Sequence, residues 1–294
     1  MDRVIKNSES NGGLKIGECT VRRLLFADDL VLLDSTQSGL QQALDRFSDA
    51  CSEAGMKIST AKTETMCLSR QSAQCSLQVD GIPLKQTEKF KYLGVSFASD
   101  GRQNSELDSH IGKASAVARQ LHRSVVLKRE LCTKAKLSIF RSVYVPILTY
   151  GHECWTMTER VRSRVQAAEM GFLRRICGLT RLDKVKSTVI RESLNIESLL
   201  LRLERSQLRW YGHVTRMSQE RTARQLLYST PNGRRPRGRP RTRWQDYVED
   251  LGWSRLGIPP KHLALVAEDR DAWKIQLELL PPQPIKEKQA TENE

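Results

Sequence analysis

The sequence predicts an α+β fold, and three observations carry the prediction. Residues 14–100 are short apolar runs broken by turn-forming pairs. From about residue 105 the apolar positions recur at helical spacing. No internal repeat interleaves the two regions. A chain of 294 residues with 39% hydrophobic content is long enough for one or two domains with a real core. No apolar run approaches the roughly 18 residues of a membrane-spanning helix, so no membrane association is expected. The polar, mixed-charge stretch after Met1 does not resemble a secretory leader, so the chain is expected to be intracellular and not secreted. Seven cysteines without a CxxC pair argue for reduced thiols rather than a disulfide framework or zinc knuckle.

The elements follow in order. Thr20–Ala27 and Leu30–Leu33 are apolar runs separated by Asp28-Asp29, the pattern of a β-hairpin. Leu40, Leu44, Phe47 and Cys51 recur at spacings of four, three and four and predict one helix. Ser35 or Thr36 can cap its start, and Gly55 sits where a terminating glycine belongs. Met56–Ile58 and Thr65–Leu68 predict short strands. Leu77–Val79 and Ile82–Leu84 flank Asp80-Gly81, a strong hairpin signal. Phe90–Phe97 predicts a further strand. Helical periodicity then covers Leu107–Leu121, Lys134–Tyr144 up to an interruption at Pro146, Val161–Ile176, and Val185–Tyr211 as one or two helices. Short helical units follow at Trp244–Leu251 and Leu263–Leu280.

Charge is unevenly spread. The formal net charge is +14, but residues 1–100 carry −1, residues 101–200 carry +9 and residues 201–294 carry +6. A basic excess confined to the last two-thirds points to a polyanionic partner, nucleic acid first and an acidic membrane surface second. Ordinary solvation of a basic surface is the plainer alternative.

Asp28-Asp29 is the sharpest feature. Two adjacent carboxylates repel each other, and burial would cost them more. A divalent cation offsets both effects. Mg²⁺ in particular takes one or two carboxylates together with substrate phosphates. On the dipeptide alone, a solvated acidic turn is the commoner arrangement.

The surroundings change that balance. Leu24-Leu25-Phe26-Ala27-Asp28-Asp29, followed by Leu30-Val31-Leu32-Leu33, resembles the FADD hairpin of reverse transcriptases, most of all those of non-LTR (LINE-type) retrotransposons. Gly55–Thr63 resembles the GLKIN..KT motif of these enzymes, with Ser59 departing from the usual Asn. Phe90-Lys91-Tyr92-Leu93-Gly94 resembles the FKYLG motif that opens the primer-grip hairpin. Tyr150–Trp155 resembles a YG.E.W segment beyond the thumb. Trp210–Val214 and Gly238–Trp244 also match C-terminal segments of such elements. The resemblance spans roughly residues 14–255.

The resemblance implies a partial polymerase palm over residues 1–100, followed by a mainly helical thumb and connection region over 101–228. It implies that Asp28 is a Mg²⁺ ligand and Asp29 the second acid of the hairpin. Lys62 would be a proton donor to pyrophosphate or a triphosphate contact, with a plain surface lysine as the even alternative. Phe90, Tyr92, Leu93 and Gly94 would shape the primer grip, although sheet packing accounts for the apolar ones equally well. An RNA template and a DNA primer would be the partners, with no small-molecule cofactor.

Only 27 residues precede Asp28, and the acids among them, Asp2, Glu9 and Glu18, lie in no strand pattern resembling the upstream catalytic motif. Asp29 is not expected to replace that acid, because successive strand residues face opposite ways. The expectation is a C-terminal fragment that does not polymerise alone.

Residues 229–243 form a basic Pro/Gly/Arg linker. Arg234, Arg235, Arg237, Arg239, Arg241 and Arg243 are unaccompanied by any acid. Pro236–Pro240 resembles an AT-hook core, which would place arginines in a narrow minor groove. A flexible arm touching phosphates without sequence preference is the favoured reading. A nuclear address suits either, as does the rival function of a non-enzymatic DNA-binding or chromatin protein. Arg174, Arg175, Arg202, Arg205 and Arg209, with Trp210 and Tyr211 nearby, suggest phosphate contact and stacking, or simply helix packing. His152 and Cys154 make too small a set for a zinc site. A small helical unit at 244–280 and a disordered tail at 281–294 complete the expected organisation.

Overall fold

The ten strands found in the computed structural model all lie between Leu14 and Ala98, among described residues 12–68, 74–101, 104–230, 238 and 242–280. The chain divides into two units. The first is Met1–Asp108 with Ser218–Pro240, and the second is Ser109–Met217 with Arg241–Glu294.

In the first unit, β1 (Leu14–Ile16) pairs with β2 (Cys19–Val21), and β3 (Arg23–Phe26) pairs with β4 (Asp29–Leu32), both antiparallel. The predicted run Thr20–Ala27 is therefore two strands, divided at Arg22 because each half pairs with a different partner. The helix α1 (Gln37–Glu53) follows. The Thr36 hydroxyl accepts the Gly39 N–H at 3.1 Å to cap its start. At its end Gly55 has φ +68°, while Met56 N–H donates to the Cys51 carbonyl and Gly55 N–H to that of Ser52. These two bonds form a Schellman motif, whose left-handed residue favours glycine.

Strands β5 (Glu64–Thr65) and β8 (Lys85–Gln86) pair in parallel, and β6 (Gln78–Val79) meets β7 (Ile82–Pro83) around the Asp80-Gly81 turn. Met56–Ile58 is not a strand. Met56 and Ile58 instead pack beside Phe47, Ala50 and Cys51, so burial, not pairing, accounts for their apolar character. Phe90–Phe97 is a hairpin of β9 (Lys89–Tyr92) and β10 (Val95–Ala98), not one strand. Its two turn residues, Leu93 and Gly94, both have positive φ, at 48° and 85°, the signature of a type I′ turn. A single continuous sheet is not found. The described strands form five two-stranded ladders, four of them hairpins closed by two-residue turns. A late helix, α8 (Thr222–Tyr228), packs on β2, where Cys19 donates its thiol to Gln225 at 3.3 Å.

The second unit is helical. Its elements are α2 (Asn104–Leu121, from Ser109 onward), α3 (Thr133–Ile139), α4 (Val145–Thr149), α5 (Glu159–Ile176), α6 (Ser187–Ser193), α7 (Leu199–Thr215), α9 (Trp244–Leu256), α10 (Pro260–Glu268) and α11 (Arg270–Glu278). Val185–Tyr211 thus contains two helices, α6 and α7. The segment predicted as one helix at Leu263–Leu280 is also two, because Asp269 accepts the Asp271 and Ala272 N–H groups and restarts the helix. Two π-helical turns, His122–Val126 and Phe140–Tyr144, were not foreseen.

The second π-turn explains why Pro146 does not interrupt the chain. Val145 N–H reaches the carbonyl of Phe140 five residues back, and Pro146 falls in the first turn of α4, where its missing donor is tolerated. Phe140, Tyr144 and Phe172 stack beneath these turns with centroids 4.7–5.5 Å apart. Leu148, Val165, Leu173 and Leu208 are fully buried in the same unit. Burying one such side chain stabilises a fold by about 1.5–3 kcal/mol.

Candidate active site

The β3–β4 hairpin has the register Arg23↔Leu32, Leu24↔Val31, Leu25↔Leu30 and Phe26↔Asp29, leaving Ala27 and Asp28 as a two-residue turn. Ala27 has φ 53°, a left-handed conformation that costs an alanine roughly 1–2 kcal/mol. Asp28, the second turn residue, is not among the residues of positive φ, so this turn differs from the type I′ turn at Leu93-Gly94. The strained turn places Asp28 at the tip and Asp29 on the first residue of β4. Both side chains are exposed.

Helix α1 holds the hairpin from one side. Leu30 packs against Phe47, Ala50 and Cys51, whereas Leu32 joins Leu44, Leu77, Val79 and Leu84. Because strand residues alternate, Leu30 and Leu32 share the anchored face and Asp29 and Val31 lie on the other. Asp34 secures the exit from β4, accepting Gly13 N–H at 2.7 Å, Thr36 N–H at 2.9 Å and the Thr36 hydroxyl at 3.0 Å. Burial alone would raise the Asp34 carboxyl, but the bonds from Thr36, Gly13 and Ser35 outweigh it, and its pKa lies below the ordinary value. A Cβ added at Gly39 would come within 2.6 Å of the same carboxylate, so the site is fitted closely around it. Asp34 was not singled out in the sequence, although its place two residues before the Thr36 cap was a usable signal.

Tyr92 is half-buried on β9. Its hydroxyl is held above the usual range by burial first and by the negative charge of Asp29 second. The fold therefore brings Asp29 and Tyr92 within electrostatic reach, although 63 residues separate them in sequence. Phe90 is half-buried on the same strand, Leu93 is exposed, and Gly94 completes the turn. Lys62 stands apart: its side chain is exposed in a turn whose Lys62 and Thr63 N–H groups donate to the Ser59 carbonyl. No described contact links Lys62 to the acidic pair.

The donor set was tested for Mg²⁺. Asp28 and Asp29 are hard oxygen ligands on an anchored hairpin and are accessible to phosphate, which suits Mg²⁺ in kind. They supply two carboxylates, and no cluster of three or more metal-ligating residues exists among the described residues.

The comparisons with known proteins fit this geometry. Residues 1–97 match the reverse transcriptase (RNA-dependent DNA polymerase) family. The matched segment ends at Phe97, inside β10, so it contains the acidic hairpin, α1 and all but the last residue of the β9–β10 hairpin. Over 277 residues the chain is 27% identical to an uncharacterised transposon-derived protein of Caenorhabditis elegans, covering 88% of this chain and 96% of that one. It is 32% identical over 158 residues to the Pol polyprotein of a type-2 retrotransposable element of Drosophila melanogaster, covering 50% of this chain and 14% of that protein. It is 21% identical over 165 residues to the RNA-directed DNA polymerase of the mobile element jockey, also from Drosophila melanogaster, covering 52% of this chain and 18% of that protein. The chain thus spans nearly the whole nematode relative but less than a fifth of either fly protein.

The basic candidates separate on inspection. Arg234, Arg235, Arg237, Arg239 and Arg241 lie outside the described residues. Arg243 donates to Gln245 at 2.9 Å and lies 3.5 Å from Asp246, at the start of α9. Arg205 is committed to packing. It forks onto Glu197 at 2.7 and 2.9 Å and donates to the Leu277 carbonyl, and the Glu197 bonds raise its pKa. Arg174 donates to the Val185 carbonyl, whereas Arg175, Arg202 and Arg209 are exposed.

The three C-terminal motif segments converge on one buried cluster. Gln207 donates to the carbonyls of His152 and Trp155, both at 2.8 Å, and accepts from the Tyr247 hydroxyl at 2.7 Å. The Trp244 indole donates to the Glu153 carbonyl at 2.8 Å. Tyr211 is buried beside Trp244 and Trp273. Tyr211 is therefore a packing residue, the plainer of its two sequence readings, and Trp155 and Trp244 belong to the same packed cluster. Beneath them Glu204, wholly buried, is paired with both Arg162 and Arg255.

Proposed function

We propose that this chain is the downstream part of a non-LTR (LINE-type) reverse transcriptase, comprising a partial palm and a helical thumb and connection region. The observation that carries the proposal is the anchored hairpin displaying Asp28 and Asp29, with Tyr92 in electrostatic reach, inside a segment that matches the reverse transcriptase family. Asp28 would hold Mg²⁺, with Asp29 supporting it. The ion, when bound, neutralises developing phosphate charge during phosphoryl transfer. Phe90, Tyr92, Leu93 and Gly94 would position the primer end, and Lys62 would meet the triphosphate once substrate is bound. The basic helical half would hold an RNA template and DNA primer through their phosphates, inside the nucleus.

Two carboxylates do not complete a two-metal clamp, so the chain would bind primer–template without extending it. Primer extension with the purified chain, primer–template, dNTPs and Mg²⁺ tests this. No incorporation is expected from the chain alone. Incorporation is expected when an upstream segment carrying a further catalytic Asp is fused to it, and Asp28→Ala should abolish that gain. Asp28-dependent incorporation by the chain alone would refute the proposed dependence.

A further inference from the structure

The helical unit carries a basic trough between α2 and α5. Two cavities of about 530 and 460 Å³ adjoin there and share Arg119 and Arg175 in their linings. The lining carries five arginines, Arg119, Arg123, Arg164, Arg175 and Arg181, and no Asp or Glu. Small side chains line it beside Ile111, Tyr144 and Phe172. Ala167, Ala168 and Gly171 lie on α5, and Ser115 and Ala118 lie on α2. A Cβ at Gly171 would meet nothing within 4 Å, so the trough is open at that point. Both unforeseen π-turns border it, the first placing Arg123 on its wall and the second placing Tyr144 in its lining. Single π-turns often mark places where function has bent a helix.

At the end of the trough stands an unusual loop. Leu182, next to Arg181, is 88% exposed. The loop is nonetheless tied down. Asp183 accepts the Thr180 N–H at 2.6 Å and the Thr180 hydroxyl at 2.7 Å, that hydroxyl accepts Leu182 N–H, and Leu179 N–H donates to the Arg174 carbonyl. The Asp183 carboxylate is thereby engaged within its own loop, and Glu169, next to Ala168 in sequence, is buried and paired with Arg191. A large apolar side chain held out on a rigid support beside a row of arginines has a chemical counterpart. It resembles the apolar wedges that enter between bases while cationic side chains hold the phosphates.

We propose that the α2–α5 trough holds the backbone of one nucleic-acid strand and that Leu182 inserts against its bases and unstacks a step. The proposal rests on the nucleic-acid-binding reading above and adds its site and action. From Arg164 to Arg175 the α5 face is roughly 16 Å long at 1.5 Å per residue, the reach of a short stretch of single-strand backbone. The small side chains among the lining let one strand backbone approach between the arginines.

Binding of a 12-nucleotide single strand carrying one 2-aminopurine tests this, read by anisotropy across a salt series and by 2-aminopurine fluorescence. Wild type is expected to bind with a steep salt slope and to raise the fluorescence. Replacing Arg119 and Arg175 together by Gln should lower the slope by about 1.4, at 0.7 per phosphate contact. Leu182→Ala should leave the slope unchanged and remove the fluorescence rise. All three side chains are exposed, and unchanged tryptophan emission would confirm that the variants fold.

Unchanged slope in Arg119→Gln/Arg175→Gln, or an unchanged rise in Leu182→Ala, overturns the proposal. If wild type binds and only Arg237→Gln/Arg239→Gln weakens it, the trough is excluded while nucleic-acid binding stands. If wild type binds no strand at all, both fall.

Discussion

Gly212→Ala in α7 sets two elementary effects against each other. Alanine is favoured over glycine in a helix interior by about 1 kcal/mol, so propensity alone predicts stabilisation. Packing predicts the reverse. A Cβ at Gly212 would lie 2.3 Å from the indole nitrogen of Trp273 and 2.6 Å from its Cδ1. Trp273 is 2% exposed, and its indole N–H donates to the Leu208 carbonyl at 3.1 Å. Relieving the clash means moving that ring. Overpacking costs about 1–3 kcal/mol, and stranding the buried indole donor a further 1–3 kcal/mol. After subtracting the propensity gain, the expected net loss is about 1–5 kcal/mol.

Gly171→Ala is the matched control, an exposed interior helix position with open space around it. It should gain about 0.5–1 kcal/mol. All five tryptophans lie within the helical unit's span, so urea titration followed by tryptophan fluorescence reports that unit selectively. The midpoint should fall for Gly212→Ala and rise for Gly171→Ala. A rise for both would show that Trp273 does not pack against Gly212 as described.

Three further outcomes follow from the same structure. Arg255→Leu leaves the buried Glu204 carboxylate with Arg162 alone and should destabilise the helical unit by about 3–5 kcal/mol, with Arg255→Lys recovering part of the loss in the same titration. The Asp34 carboxyl lies below its ordinary pKa when folded, so its contribution is present at neutral pH and is lost as the pH falls through the unfolded value of 3.8 toward the folded one. Asp34→Asn should flatten that acid limb of hydrogen-exchange protection in α1, and an unaltered limb would rule the carboxylate out as its source. Burial pushes the Tyr144 hydroxyl up to about 12, so its contribution is intact below pH 10 and declines as the pH rises from about 10 through 12. Tyr144→Phe should make the urea midpoint less sensitive to pH between 9 and 11, and equal sensitivity in both proteins would count against it.

Legibility in the sequence followed the range of the interactions. The α1 cap, its Schellman end and the Asp80-Gly81 turn are decided by a few neighbouring residues, and each was readable. The acidic hairpin was readable for the same reason, since Phe26 and Asp29 pair across two residues. The split at Arg22 was not, because β2 and β3 choose different partners and nothing local marks the change. Pro146 misled because a π-turn just before it alters which donor is needed. Glu169 and Glu204 carry no local signal of burial in the sequence. They are buried because Arg191, Arg162 and Arg255 arrive from other helices. The arginine trough combines helix faces more than forty residues apart with a loop, a union that no single periodicity reveals.

The Gln207 cluster carries a consequence for synthesis on the ribosome. Gln207 meets the His152 and Trp155 carbonyls as soon as α7 forms, but its own acceptor waits for Tyr247, forty residues later. At ordinary translation rates that interval is roughly 2–8 s. Throughout it, the nascent helical half holds an incomplete core whose polar centre is open to water. A transcript ending before α9 would leave that state permanent. Such products are expected to be handed to chaperones or degraded.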